Sequence, residues 1–299
     1  PTVDRAALAT LAADEHKASR ITLMVDDLAQ LDLIDAIAAA PARATIRVAI
    51  DADASWRAPV LGHIGVRRSP VHDASEVARL ARGIVARAGF RLVGLMMYEA
   101  QIAGQPDDTG SGDAVIRWMQ RRSGQELLDR RGAIVAGLRE ITQLEFVNGG
   151  GTGSLESTAS DLAVTETTAG SRLLAGHLFD LYRAFSPAPA AAFALEVVRK
   201  PTPDIATVLG GGWIASGPPV ASRQPLPAWP AGLHTLAREG AGEVQTPLQG
   251  DAARGLKIGD RTWFRHAKSG ELAERVDHYL LTSGDQLVGE TATYRGEGK

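Results

Sequence analysis

The residues with the clearest chemical potential are Asn148-Gly149-Gly150-Gly151-Thr152-Gly153-Ser154, which follow directly on the apolar run Leu144-Glu145-Phe146-Val147. Four glycines in five positions let the backbone come close to a ligand and turn several N–H groups toward one oxyanion. Thr152 and Ser154 add two hydroxyl donors. That equipment suits a phosphate. It does not match a dinucleotide fingerprint, because Gly149 and Gly151 are followed by Ser154 where a third glycine should stand and no strong helix opens promptly. Nor does it match a nucleotide P-loop, which needs Gly-Lys-Ser/Thr, and no lysine lies near. A phosphate cup at the end of a barrel strand fits the residues. A tight turn that merely requires glycine fits them equally well.

Other groups capable of chemistry lie behind apolar runs. Asp51 and Asp53 end Ile46-Arg47-Val48-Ala49-Ile50, and Tyr98-Glu99 end Leu92-Val93-Gly94-Leu95-Met96-Met97. Paired carboxylates can do acid–base work. They can equally cap turns or pair with Arg57, Arg67 or Arg68. His63 and His72 flank an arginine-rich loop, and His72 reads as solvated. His266 follows Trp263-Phe264 and can be either a site histidine or a strand histidine satisfied by a neighbour. His278 reads as a strand-edge residue. The pairs Arg121-Arg122 and Arg130-Arg131 read as a solvated helix face, and Gly210-Gly211-Gly212 as a bulge or tight turn.

The elements needed to position these groups are legible. Up to about residue 188 the chain alternates short apolar strands (21–25, 46–50, 92–97, 144–148) with helical patterns. Asp4 and Asp26 or Asp27 are available as N-caps, and a long arginine-rich helix is expected over about 113–140. Nearly continuous apolar strands alternating with helices predict a parallel sheet covered on both faces, with the polar groups gathered at the carboxyl ends of its strands. From about residue 189 the texture changes to alternating runs punctuated by Pro and Gly, as in an antiparallel β domain. The 299 residues are 44% hydrophobic and 22% charged with a net charge of -3, so no basic footprint for nucleic acid or an anionic membrane is present. The absence of cysteine rules out disulfides, thiolate metal sites and a thiol nucleophile. No apolar run approaches the roughly 20 residues of a membrane span, and no signal peptide is visible, so a cytoplasmic location is expected. Pro1 and the stretch up to Lys299 read as the ends of a fragment of a longer protein.

Four segments in order resemble the D-threonine aldolase and D-serine dehydratase family of pyridoxal-phosphate enzymes. They are Ile64-Gly65-Val66-Arg67-Arg68-Ser69-Pro70, Tyr98-Glu99-Ala100-Gln101, the glycine loop, and Arg265-His266-Ala267-Lys268. The amino acid deaminase/aldolase subset of the family matches best. The resemblance spans essentially the whole chain. It implies an incomplete TIM-like (β/α) barrel of alanine racemase type over 1–188, followed by a C-terminal antiparallel β domain over 189–299. It further implies that Asn148, Gly150, Gly151, Thr152 and Gly153 hold the cofactor phosphate and that Tyr98 stands beside cofactor or substrate. His63 takes the place of a barrel arginine. His266 would be a catalytic group or the ligand of a divalent metal. A small amino acid as substrate and a homodimer follow from the same resemblance.

The chain departs from the family pattern at His63, at Gln101, where the family has His, and at Lys268, an ammonium where a second metal ligand is expected. The largest departure concerns lysine. The family forms a Schiff base from a lysine on the first barrel strand. None of Lys17, Lys200, Lys257, Lys268 and Lys299 ends an early apolar strand, so that lysine is expected upstream of Pro1 and this segment alone is expected to be inactive. The function implied is a lyase, either aldolase or dehydratase, acting on a small D- or β-hydroxy amino acid. An amino acid racemase and a non-catalytic pyridoxal-phosphate-binding protein are the alternatives.

Overall fold

Capped helices and short apolar strands follow one another through the first half of the chain. The computed structural model describes residues 1–298. Asp4 caps α1 (Arg5–Ala13) by accepting from the Ala6 and Ala7 N–H groups, and α2 (Glu15–Arg20) follows. β1 (Thr22–Val25) leads into α3 (Leu28–Ile37), where Asp27 and Gln30 satisfy each other's backbone donors in a capping box. β2 (Ile46–Asp51) continues into a hairpin of β3 (Trp56–Ala58) and β4 (Gly62–Ile64). α4 (Ala74–Val85) opens with a second capping box, Asp73 with Glu76. β5 (Phe90–Met97), α5 (Ala100–Ala103), the 27-residue α6 (Asp113–Arg139), β6 (Phe146–Gly149), α7 (Leu155–Ala159) and β7 (Glu166–Thr167) complete the series.

The strands form one open parallel sheet in the order β1-β2-β5-β6-β7. Its core is aliphatic. Ile46, Val48, Ile50, Leu92, Leu95, Met97 and Val147 meet Leu31, Ile34, Val77, Ile84, Ile134 and Leu138 from the helices. Burial on both faces is what the continuous apolar strands require.

The second half is antiparallel. β8 (Phe193–Thr202), β9 (Ile205–Leu209), β10 (Leu226–Trp229), β11 (His234–Thr235), β12 (Gln245–Gln249) and β13 (Arg261–Arg265) form a six-stranded, nearly closed sheet in the order β10-β13-β8-β9-β12-β11. A separate hairpin of β14 (His278–Ser283) and β15 (Gln286–Ala292) follows. Phe193, Val197, Val208, Leu248 and Phe264 centre its core, with the Phe193 and Phe264 rings stacked 5.3 Å apart.

Contacts divide the chain after Gly170, into 1–170 and 171–299, where the change in sequence texture points to 188. The reason is local. Residues 171–188 carry no strand pattern, yet the His177 and Leu178 N–H groups donate to the carbonyls of His266 and Ala267, and Asp180 receives a fork of two bonds from Arg265.

Arg130 and Arg131 do not form a solvated face. Arg130 donates to the carbonyls of Asp53, Ser55 and His72, stapling the loop after β2 to α6. Arg131 is only 2% exposed and lies between two buried carboxylates, Asp161 at 2.6 Å and Glu99 at 3.1 Å. A charge taken from between two buried partners leaves both uncompensated. Arg131→Met is therefore expected to lower stability by about 3–5 kcal/mol, measured by urea denaturation. A loss below about 1 kcal/mol, the size typical of a surface pair, would contradict this placement.

Candidate active site

The carboxyl ends of the parallel strands carry the polar groups, and the glycine loop leaves β6 among them. Gly150 has φ +91°, a backbone state that side chains other than glycine's rarely adopt. At Gly151 an added Cβ would stand 2.7 Å from the Ala103 Cβ and 2.9 Å from Cε2 of Tyr98. The loop and the Tyr98 ring are thus packed together, which unites two of the segments singled out by sequence.

Beneath the loop lies the Glu99 carboxylate, 2% exposed. Its Oε2 accepts from the Gly150 N–H and from Arg131, each at 3.1 Å, and its Oε1 accepts from the hydroxyls of Ser154, at 3.2 Å, and Thr158. The Ser154 hydroxyl also accepts the Gly151 N–H at 3.1 Å. One of the two hydroxyls expected to face a ligand is therefore committed inward. What remains is the N–H and hydroxyl of Thr152 and the N–H of Gly153, which have no acceptor among the described residues. Three unspent donors on adjacent residues of a glycine loop suit an oxyanion.

Asn148 ends β6 as a tie between strands. Both hydrogens of its amide are used, on Glu166 Oε1 and Thr168 Oγ1 at 2.7 Å each, leaving only an acceptor for any ligand. Tyr98 has the Arg68 guanidinium 5.5 Å from its ring centroid, and burial raises its pKa above the ordinary phenol value, so it is a neutral donor at physiological pH. Burial, followed by the neighbouring Asp26, pushes the Asp51 carboxyl up to about 6. Asp53 behaves as a turn cap, accepting from the N–H and hydroxyl of Ser55, with Arg57 at 3.5 Å.

His63 stands on β4 with Nε2 3.1 Å from the Val66 carbonyl, which makes Nε2 the protonated nitrogen and leaves Nδ1 as an acceptor, 3.4 Å from the Ser55 hydroxyl. It lines an open cavity of about 570 Å³ with Asp53, Arg57, Arg67, Arg68 and Ser69. His72 is buried against the Ser55 carbonyl rather than solvated, and Gln101 donates to the Ala54 carbonyl at 2.7 Å.

His266 belongs to the C-terminal unit, just beyond β13. It is fully buried, and its ring nitrogens make no well-formed hydrogen bond, the Ala191 backbone being a weak polar neighbour. Burial, reinforced by the nearby His177 and Arg265, lowers its pKa to about 4. No three His, Cys, Asp or Glu side chains among the described residues come together as a metal centre. His278 is half exposed, 3.7 Å from Glu290.

No family model matches the chain, and no curated protein sequence is similar to it. Solved structures are. A D-threonine aldolase from Filomicrobium marinum superposes with a TM-score of 0.78 at 20% identity, over 99% of this chain and 75% of that one. A D-threo-3-hydroxyaspartate dehydratase variant gives 0.70 at 17% identity, over 98% of this chain and 75% of that one. An alanine racemase from Clostridium difficile in complex with cycloserine gives 0.57 at 15%, over 98% and 76%. The chain therefore has the alanine racemase-type fold, with an open parallel βα sheet in place of a complete barrel and an antiparallel C-terminal part. Among the described residues no helix is long and apolar enough to cross a membrane.

The depressed pKa of His266 has a directional consequence. The unfolded chain takes up the imidazole proton near pH 6.5 while the folded chain resists it down to about 4, so this residue's contribution to stability is present above pH 6.5 and is lost as pH falls through that window. His266→Gln is expected to flatten the acid limb of the stability profile between pH 6.5 and 4. An NMR titration placing the His266 midpoint above 6 would contradict the burial.

Proposed function

We propose that this chain forms the phosphate-holding part of a pyridoxal-phosphate-dependent lyase, an aldolase or dehydratase acting on a small D- or β-hydroxy amino acid. The observation that carries the reading is the set of unspent donors on Thr152 and Gly153, in a loop packed against Tyr98 at the carboxyl end of a parallel sheet. The similar structures support it. D-threonine and D-threo-3-hydroxyaspartate, which name two of those enzymes, are both β-hydroxy amino acids.

The fit to the cofactor is one-sided. The phosphate end has matching donors. The amine end does not, because Lys17 is the only lysine in residues 1–170, and it sits exposed on α2, paired with Asp14 at 3.3 Å. When bound, pyridoxal phosphate supplies an electron sink for the bond broken next to the substrate's amino group.

The chain's own residues then have distinct tasks. Thr152 and Gly153 bind the phosphate. Gly151 leaves the space that Tyr98 fills, and the protonated phenol of Tyr98 can donate to an oxygen but cannot serve as a base at neutral pH. The Nδ1 of His63, opposite the ring nitrogen held by the Val66 carbonyl, is available to accept the proton of the substrate's β-hydroxyl. A homodimer and a cytoplasmic location belong to the same reading, and sedimentation of the purified chain checks the first.

Pyridoxine 5′-phosphate has the phosphate and ring but no aldehyde. Fluorescence titration is expected to show saturable binding that inorganic phosphate displaces and that Gly151→Val weakens at least ~10-fold, or about 1.4 kcal/mol. With pyridoxal 5′-phosphate, borohydride is expected to leave no stoichiometric label on the chain, and D-threonine cleavage is expected not to exceed that of free cofactor. Absence of saturable binding by the wild type would overturn the reading.

A further inference from the structure

The loop that would hold a phosphate already holds an anion of the protein's own. Glu99 is encircled by the Gly150 N–H, the Ser154 and Thr158 hydroxyls and Arg131, and all five residues are buried. Arg131 is itself held on its other side by Asp161 at 2.6 Å and by the Met97 carbonyl at 3.3 Å. No ligand can approach Glu99 along these bonds, because each of its oxygens is saturated from within.

We propose that Glu99 is a positioning residue for phosphate recognition. It fixes the glycine loop from beneath and so aims the N–H groups of Thr152 and Gly153 at the ligand without touching it. The inference rests on the phosphate reading above and assigns Glu99 a task within it. Glu99 binds the inward half of the loop's donors, Gly150 N–H and Ser154 Oγ–H. Gly150 is held at φ +91°, and the loop's donors that Glu99 does not take up lie two and three residues further on, at Thr152 and Gly153. The Ser154 N–H returns to the Gly151 carbonyl at 3.0 Å, and the Thr158 N–H to the Ser154 carbonyl at 2.8 Å, locking the turn onto α7. Arg131 offsets a carboxylate charge that would otherwise stand directly behind a phosphate dianion.

The role is one of shape, and this separates it from a purely electrostatic one. A glutamine at position 99 can keep all four contacts. Its carbonyl accepts from Gly150 and Arg131, while its amide donates to the two hydroxyls, which are able to accept. Alanine keeps none of them.

The test is the dissociation constant of pyridoxine 5′-phosphate, with amide exchange at Gly150 measured on the same samples. Glu99→Gln is expected to bind within about threefold of wild type and to keep Gly150 protected. Glu99→Ala is expected to bind at least ~10-fold more weakly, a factor equivalent to about 1.4 kcal/mol, with Gly150 exchange accelerated. Should Glu99→Ala not fold, the double variant Ser154→Ala/Thr158→Val retains the carboxylate and its arginine and is expected to bind several-fold more weakly. Wild-type binding with unchanged affinity in Glu99→Ala, or in the double variant where alanine does not fold, overturns the inference alone. Equal weakening by glutamine and alanine also overturns it, since charge and not shape would then matter. A wild type that does not bind overturns the phosphate reading together with the inference.

Discussion

The contact between Glu99 and Arg131 is the constraint on which the rest of the N-terminal site depends. It joins the end of β5 to the middle of α6, and through Asp161 it reaches the segment after α7. A buried ion pair of this kind gains little over an apolar substitute, but it cannot tolerate the loss of one partner. Its value here is geometric. Four hydrogen bonds converge on one carboxylate, and three of them come from the glycine loop and the short helix behind it. The loop is flexible by composition and specific only because something beneath it is fixed.

This arrangement explains how much of the site could be seen in advance. The strand–helix alternation, the Asp4 and Asp27 caps, the length of α6 and the gathering of Asp51, Tyr98 and the glycine loop at strand ends all follow from periodicity and from the short-range chemistry of caps, and the structure reproduces them. The need for glycine at 150 is legible as well, since few other residues accept that backbone. Hidden from the sequence was the partner of each polar group. Arg130-Arg131 on a charge-rich helix looks solvated because nothing local shows that Arg131 points at two carboxylates 30 and 32 residues away. The Ser154 hydroxyl and the Asn148 amide look like ligand donors until their long-range acceptors are known. His72 looks exposed until Ser55 and Arg130 are placed around it. Residues 171–188 read as the end of the N-terminal part because they lack the alternating pattern that follows residue 189, although their backbone groups bond to those of His266 and Ala267.

The C-terminal unit offers a contrast in how a titratable group is held. Glu99 is buried with four donors around it, whereas His266 is buried without a well-formed hydrogen bond and is kept neutral by that burial. Lys268, two residues on, extends toward Ser216, at 3.3 Å from its hydroxyl, and its backbone N–H donates to Glu271.

A crystal structure of the chain with pyridoxine 5′-phosphate addresses the central claim most directly. The account predicts phosphate oxygens at about 2.7–3.2 Å from the N–H groups of Thr152 and Gly153, with the Gly150 N–H still bonded to Glu99. A phosphate bound away from the loop, or one that displaces Glu99 from the Gly150 N–H, would contradict it.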